Sequence, residues 1–84
     1  MKRIVDAQMQ ERMNITGQNI RKAREKAKLT QKELSIKLET MAVYVCRGSL
    51  SRIENGSRIV TDIELQAIAD VLHISINALF DGEI

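Results

Sequence analysis

Two four-residue words constrain this chain more than any other feature: Thr30-Gln-Lys-Glu33 and Thr61-Asp-Ile-Glu64. Each has the form of a capping box, in which the threonine oxygen accepts from the glutamate amide and the glutamate carboxylate reaches back to the threonine amide. An apolar stripe at helical spacing follows each, Leu34 and Leu38 after the first and Leu65, Ile68, Ala69 and Leu72 after the second. Two helices therefore start after Thr30 and Thr61. The first runs to about residue 38 or a little beyond, with Gln31, Lys32 and Lys37 outward. The second covers 62–72, with Glu64, Gln66 and Asp70 outward.

The remaining elements follow from weaker punctuation. Thr16 is a candidate N-cap for a helix over 17–27 whose inner face is Ile20, Ala23, Arg24 and Ala27, with Lys26 and Lys28 offsetting its C-terminal carbonyls. Leu50 and Ile53 form the inner face of a short helix over 46–54, stopped by Asn55-Gly56, which leaves Arg47, Ser49 and Arg52 outside. His73 stands at a helix-closing position, and Ser75 caps a last turn that buries Ile76, Leu79 and Phe80. The run Met41-Ala-Val-Tyr-Val45 fits a short strand, a helix extension or a buried loop, and periodicity does not choose among them. Residues 1–16 read as an N-terminal arm, either helical on a ragged apolar stripe or disordered, that carries the basic residues Lys2, Arg3 and Arg12, and residues 81–84 read as a frayed tail.

Eighty-four residues provide for one small domain. Tyr44 and Phe80 are the only aromatics, so the core has to be built from eleven isoleucines, seven leucines and seven alanines. That composition favours packed helices, and the expected class is all-α. The single cysteine, Cys46, has no partner for an internal disulfide, which suits a reducing compartment. No stretch approaches the eighteen apolar residues of a membrane span, and the basic start lacks an uninterrupted apolar core, so a cytoplasmic location is expected.

Net charge is only +2, but it is segregated: residues 1–58 hold all thirteen Lys and Arg, whereas residues 59–84 hold five acids and no base. Such polarity lets a basic face meet phosphates while an acidic end points away. Catalysis has little to stand on, because the one Cys and one His, Cys46 and His73, fall on different elements. No ligand pair has zinc spacing and no acidic cluster has calcium-loop spacing, so neither a metal nor another cofactor is expected. Single-stranded RNA recognition would want more stacking aromatics than two.

The segments GQNIRKAREKAKLTQKELSIKL, LSRIENGSR and TDIELQAIADVLHISINALF, taken together, resemble the Cro/C1-type (XRE, lambda repressor-like) helix-turn-helix family over residues 17–80. The resemblance implies a compact five-helix domain with an N-terminal arm that binds double-stranded DNA, its third helix in the major groove. It places Arg47, Gly48, Ser49 and Arg52 on the base-reading face. Arginine can donate twice to guanine, and serine serves several bases. Gly48 either allows close backbone approach or is simply a weak spot in the helix. Thr30, Gln31, Asn55, Ser57 and Arg58 match phosphate-contact positions, with capping and turn formation as the plainer roles of Thr30 and Asn55. Lys22, Lys26 and Lys32 add general phosphate attraction or are a solvated face. Arg24 and Glu54 match a buried structural ion pair between the first and third helices.

Two features depart from the family pattern. The connection between Leu38 and Val45 is about five residues longer than the shortest family turn, with Ala42 where a glycine is common. Met41, Val43 and Tyr44 there either lengthen the second helix, the preferred reading, or form an apolar patch for a partner chain. His73 also replaces a common glycine. The function expected is a repressor-like transcription regulator acting as a homodimer, without a small-molecule ligand. The alternative is a protein-interaction module of adaptor or antitoxin type on the same scaffold.

Overall fold

Both capping boxes form. Thr30 Oγ1 accepts from the Glu33 N–H at 3.0 Å and a Glu33 carboxylate oxygen accepts from the Thr30 N–H at 2.8 Å. The corresponding distances at Thr61 and Glu64 are 3.1 and 3.0 Å. In the computed structural model, which describes residues 12–84, these boxes open the second and fourth of five helices. The helices are α1 (Gly17–Lys26), α2 (Gln31–Glu39), α3 (Arg47–Asn55), α4 (Asp62–Leu72) and α5 (Ile76–Asp81), with no strand among the described residues. Every helix contributes to one aliphatic core, in which Ile20, Leu34, Leu38, Leu50, Ile53, Ile68 and Leu79 are wholly buried. Each such side chain contributes about 1.5–3 kcal/mol when removed from water. The all-α expectation therefore holds, and for the reason inferred from composition. Two residues depart from the expected interior: Phe80 is half exposed, with Leu79 beside it filling the core, and Ala27 is exposed because α1 ends at Lys26.

Four helices end the same way, by a turn that places one residue in the left-handed region and returns two backbone bonds to the last turn. After α2, Ala42 (φ 61°) donates to the Glu39 carbonyl at 2.9 Å and Val43 to the Leu38 carbonyl at 3.0 Å. Lys28 (φ 61°) closes α1, Gly56 (φ 86°) closes α3 and His73 (φ 57°) closes α4 in the same pattern. Only one of the four is a glycine, although a side chain in this conformation costs about 1–2 kcal/mol.

This closure corrects the expected lengthening of the second helix. Beyond Ala42 the chain runs without helix or strand to the α3 N-cap Cys46, as a largely exposed loop anchored at Val45. Val45 is buried and Val43 packs partly on the core, while Tyr44 between them is 74% exposed, the alternation of an extended backbone. Ser35 Oγ of α2 donates to the Val45 carbonyl at 2.7 Å and pins the segment down.

Thr16 does not cap α1. Its hydroxyl is buried without a hydrogen-bond partner among the described residues, and Asn14 Oδ1 instead accepts from the Gly17 N–H at 2.7 Å. The Asn14 amide nitrogen donates in turn to the carbonyls of Ile53 at 2.9 Å and Arg58 at 2.8 Å. The start of α1 lies so close to the end of α3 that a Cβ on Gly17 would run into the Ile53 carbonyl oxygen. An asparagine supplies one acceptor and two donors to such a junction; a threonine hydroxyl has one donor. Residues 12–16 are thus fastened to the domain, with the Met13 N–H donating to the Gly56 carbonyl at 2.7 Å. The rest of the expected arm, Lys2 and Arg3 included, lies outside the described residues. At the other end, Asp81 completes α5 and Ile84 packs partly against the core.

Candidate nucleic-acid interface

Leu50, Ile53 and Glu54 turn one side of α3 into the protein, which leaves the other side to solvent. Arg47, Gly48 and Arg52 are exposed there and Ser49 is half buried. Arg52 Nη2 donates to Ser49 Oγ at 3.4 Å, while Arg47 has no hydrogen-bond partner among the described residues. A Cβ built on Gly48 meets nothing within 4 Å. The protein's own packing therefore gives no reason for a glycine in the first turn of this helix. Cys46, the exposed N-cap, lies 3.4 Å from Ser49 Oγ. The Ser49 side chain first, then the Ser49 amide, holds its thiol below the ordinary range.

The buried side of α3 is held by charge as well as by packing. Glu54 accepts from Arg24 Nε at 2.7 Å and Nη2 at 3.0 Å, and its Oε1 also accepts from Gln31 Nε2 at 3.0 Å. Arg24 spends a further N–H on the Leu29 carbonyl at 2.8 Å. One carboxylate thus fixes α3 to α1 and to the first turn of α2, with both ion-pair partners buried. Gln31, matched by resemblance to a phosphate contact, braces the third helix through Glu54.

The other sequence-selected positions fall at two places. Gln31 and Asn55 line a groove of about 230 Å³ together with Arg21, Arg24, Ser51 and Glu54. Asn55 Oδ1 accepts from the N–H of Ser57 at 3.0 Å and its Oγ at 2.7 Å, which shapes the turn after α3 and leaves both residues exposed. Thr30 is exposed at the start of α2, its oxygen occupied by the cap. Arg58 sits apart: its guanidinium is bound to the Glu64 carboxylate by two bonds of 3.0 Å and to the Ile59 carbonyl at 2.8 Å. That pair, helped by the Thr61 amide and against the opposing effect of burial, holds the Glu64 carboxyl below its usual range.

Sequence reasoning missed two residues here, Arg21 and Ser51. Arg21 and Ser51 line the groove shared by Gln31 and Asn55, and Arg12 with Arg21 and Lys22 lines the adjoining one. Arg21 was legible as a polar neighbour of the buried Arg24. Arg12 was read as a basic residue of the arm, but its place was not legible, because it depends on the Asn14 junction. There it donates from Nη2 to the Glu54 carbonyl at 3.1 Å. Among the described residues no cluster of His, Cys, Asp and Glu could hold a metal ion, and no helix is long and apolar enough to cross a membrane.

A family model described as helix-turn-helix (HTH_3) matches residues 20–79, a span that takes in all of α2, α3 and the connection between them. No curated protein and no solved structure matches the chain. With the match covering well over half of the sequence and α3 presented outward as a reader helix requires, the chain belongs to the Cro/C1-type (XRE) helix-turn-helix family of DNA-binding regulators.

Proposed function

We propose that the protein is a repressor-like regulator of transcription that reads double-stranded DNA sequence-specifically with α3 in the major groove. The observation that carries this is the division of α3 into a side locked by Leu50, Ile53 and Glu54 and a side that presents Arg47, Gly48, Ser49 and Arg52. Arg47 and Arg52 pair with guanine edges, Ser49 contacts an adjacent base, and Gly48 lets the helix backbone come close. Thr30, Gln31, Asn55 and Ser57 contact the flanking phosphates from the two ends of the motif, which sets the helix at its depth and angle. Arg58 reaches a phosphate only by loosening its pair with Glu64 and takes a smaller share.

A module of 9.5 kDa makes few contacts, so two copies act on a two-fold site with half-sites about 34 Å apart. Selection from a random duplex pool, repeated with Arg47→Ala and Lys32→Ala, tests the assignment. The first variant should lose preference at one position in each half-site, and the second should lose affinity evenly across sequences. Binding should also fall by about a thousandfold between 50 and 200 mM salt if six phosphates are neutralised. Absence of any enriched duplex at low salt defeats the proposal and leaves a protein-interaction module as the reading.

A further inference from the structure

We infer that Tyr44 extends the DNA-reading surface beyond the N-terminal end of α3, its ring packing on a deoxyribose and base edge just outside the positions read by Arg47 and Ser49. The inference rests on the DNA-binding reading of α3. Among the described residues Tyr44 is the most exposed of the large apolar side chains, at 74%. An aromatic ring so placed is unused by the fold, and aromatic side chains contribute strongly to interfaces at small entropic cost.

Its presentation is rigid. Ala42 turns the chain out of α2, the Val43 N–H holds the Leu38 carbonyl, Val45 is buried, and Ser35 grips the Val45 carbonyl from α2. Two residues later Cys46 caps α3. With Val43 and Val45 turned inward, the ring between them has to face out, and ordering this segment on DNA costs little because it is already ordered.

Its surroundings fix the kind of contact. Tyr44 lines a groove of about 340 Å³ with Ser35, Glu39, Val45, Cys46 and Ser49. Ser49 belongs to the reading face, so Tyr44 stands beside it. The Glu39 carboxylate in the same groove repels a phosphate, which leaves the uncharged sugar and base edge as what the ring meets.

The test uses the duplex selected by the wild-type protein and compares wild type, Tyr44→Ala, Tyr44→Phe and Arg47→Ala by fluorescence anisotropy and hydroxyl-radical footprinting. Tyr44→Ala should weaken binding about tenfold with an unchanged salt slope, and should lose protection of a sugar flanking each half-site. Tyr44→Phe should bind within about twofold of wild type, because the ring and not the hydroxyl makes the contact. Thermal melts of both variants should stay close to wild type, since the ring is exposed. A Tyr44→Ala protein that keeps the affinity and the flanking protection while Arg47→Ala loses its base preference overturns this inference alone. Failure of the wild type to select any duplex overturns the reading beneath it.

Discussion

Removing Glu54 tests what holds α3 in place. Its carboxylate accepts three hydrogen bonds, two from Arg24 and one from Gln31. In Glu54→Ala the Arg24 guanidinium, only 8% exposed in the native protein, keeps one partner, the Leu29 carbonyl. Stranding a buried charge in this way costs about 3–5 kcal/mol. A domain of this length has about 4–13 kcal/mol in total. At about 4–8 °C per kcal/mol, the melting temperature should fall by roughly 12–40 °C. Urea unfolding followed by circular dichroism at low temperature gives the difference directly. The cost comes from the orphaned charge, so replacing both partners, Arg24→Met with Glu54→Leu, should recover most of the loss. That double variant should keep any duplex preference of the wild type, because neither residue lies on the exposed side of α3. A Glu54→Ala protein within about 1 kcal/mol of wild type, or a double variant less stable than both singles, would refute the reasoning.

Other consequences are simpler to state. Gly48→Ala should raise the melting temperature, since helix propensity improves by about 0.5–1 kcal/mol and the added Cβ meets nothing, yet it should weaken binding to the selected duplex. Unchanged affinity in that variant would leave Gly48 as only a weak point of the helix. Ala42→Gly should stabilise the fold by about 1 kcal/mol by relieving a left-handed alanine, and a lower melting point would contradict that closure. Glu64 and Glu33 have carboxyls held below their usual range, by Arg58 and by the Thr30 amide respectively. Their contribution is therefore complete above the unfolded value of about 4.3 and lost as pH falls through the lower native values. Melting temperature should be level from neutral pH to about 5 and drop below about 4, with a smaller drop in Glu64→Gln.

Much of the fold was legible because its signals are local. Each threonine–glutamate box specifies its helix start within four residues, and α4 begins and ends where Thr61 and His73 place it. The outward residues of α3 could be read for the same reason, since Leu50 and Ile53 fix which side is in. The junction of α1 with α3 was not legible. Asn14 is chosen by the Ile53 and Arg58 carbonyls, some forty residues away, and those partners are invisible to local pattern. Thr16 has the better local claim to the cap and loses it to a contact that only folding creates.

The α2–α3 connection shows how a missing letter hides a present mechanism. A glycine at position 42 would have marked the left-handed turn, and with alanine there the apolar run from Met41 to Val45 reads as more helix. The apolar pair that accompanies such a turn is nevertheless in the sequence: Leu38 and Val43, whose backbones are joined by the closing bond. Lys28 repeats the case with Leu29 following it, so absence of glycine is a poor argument against closure in this chain. The consequence reaches the exposed side of α3. Because the helix stops, Val45 can be buried and gripped by Ser35, and α3 starts at a defined height above α2. The Glu54 clamp then sets its tilt from the far end. Loosening the near end with Ser35→Ala should therefore reduce discrimination between bases more than it reduces stability.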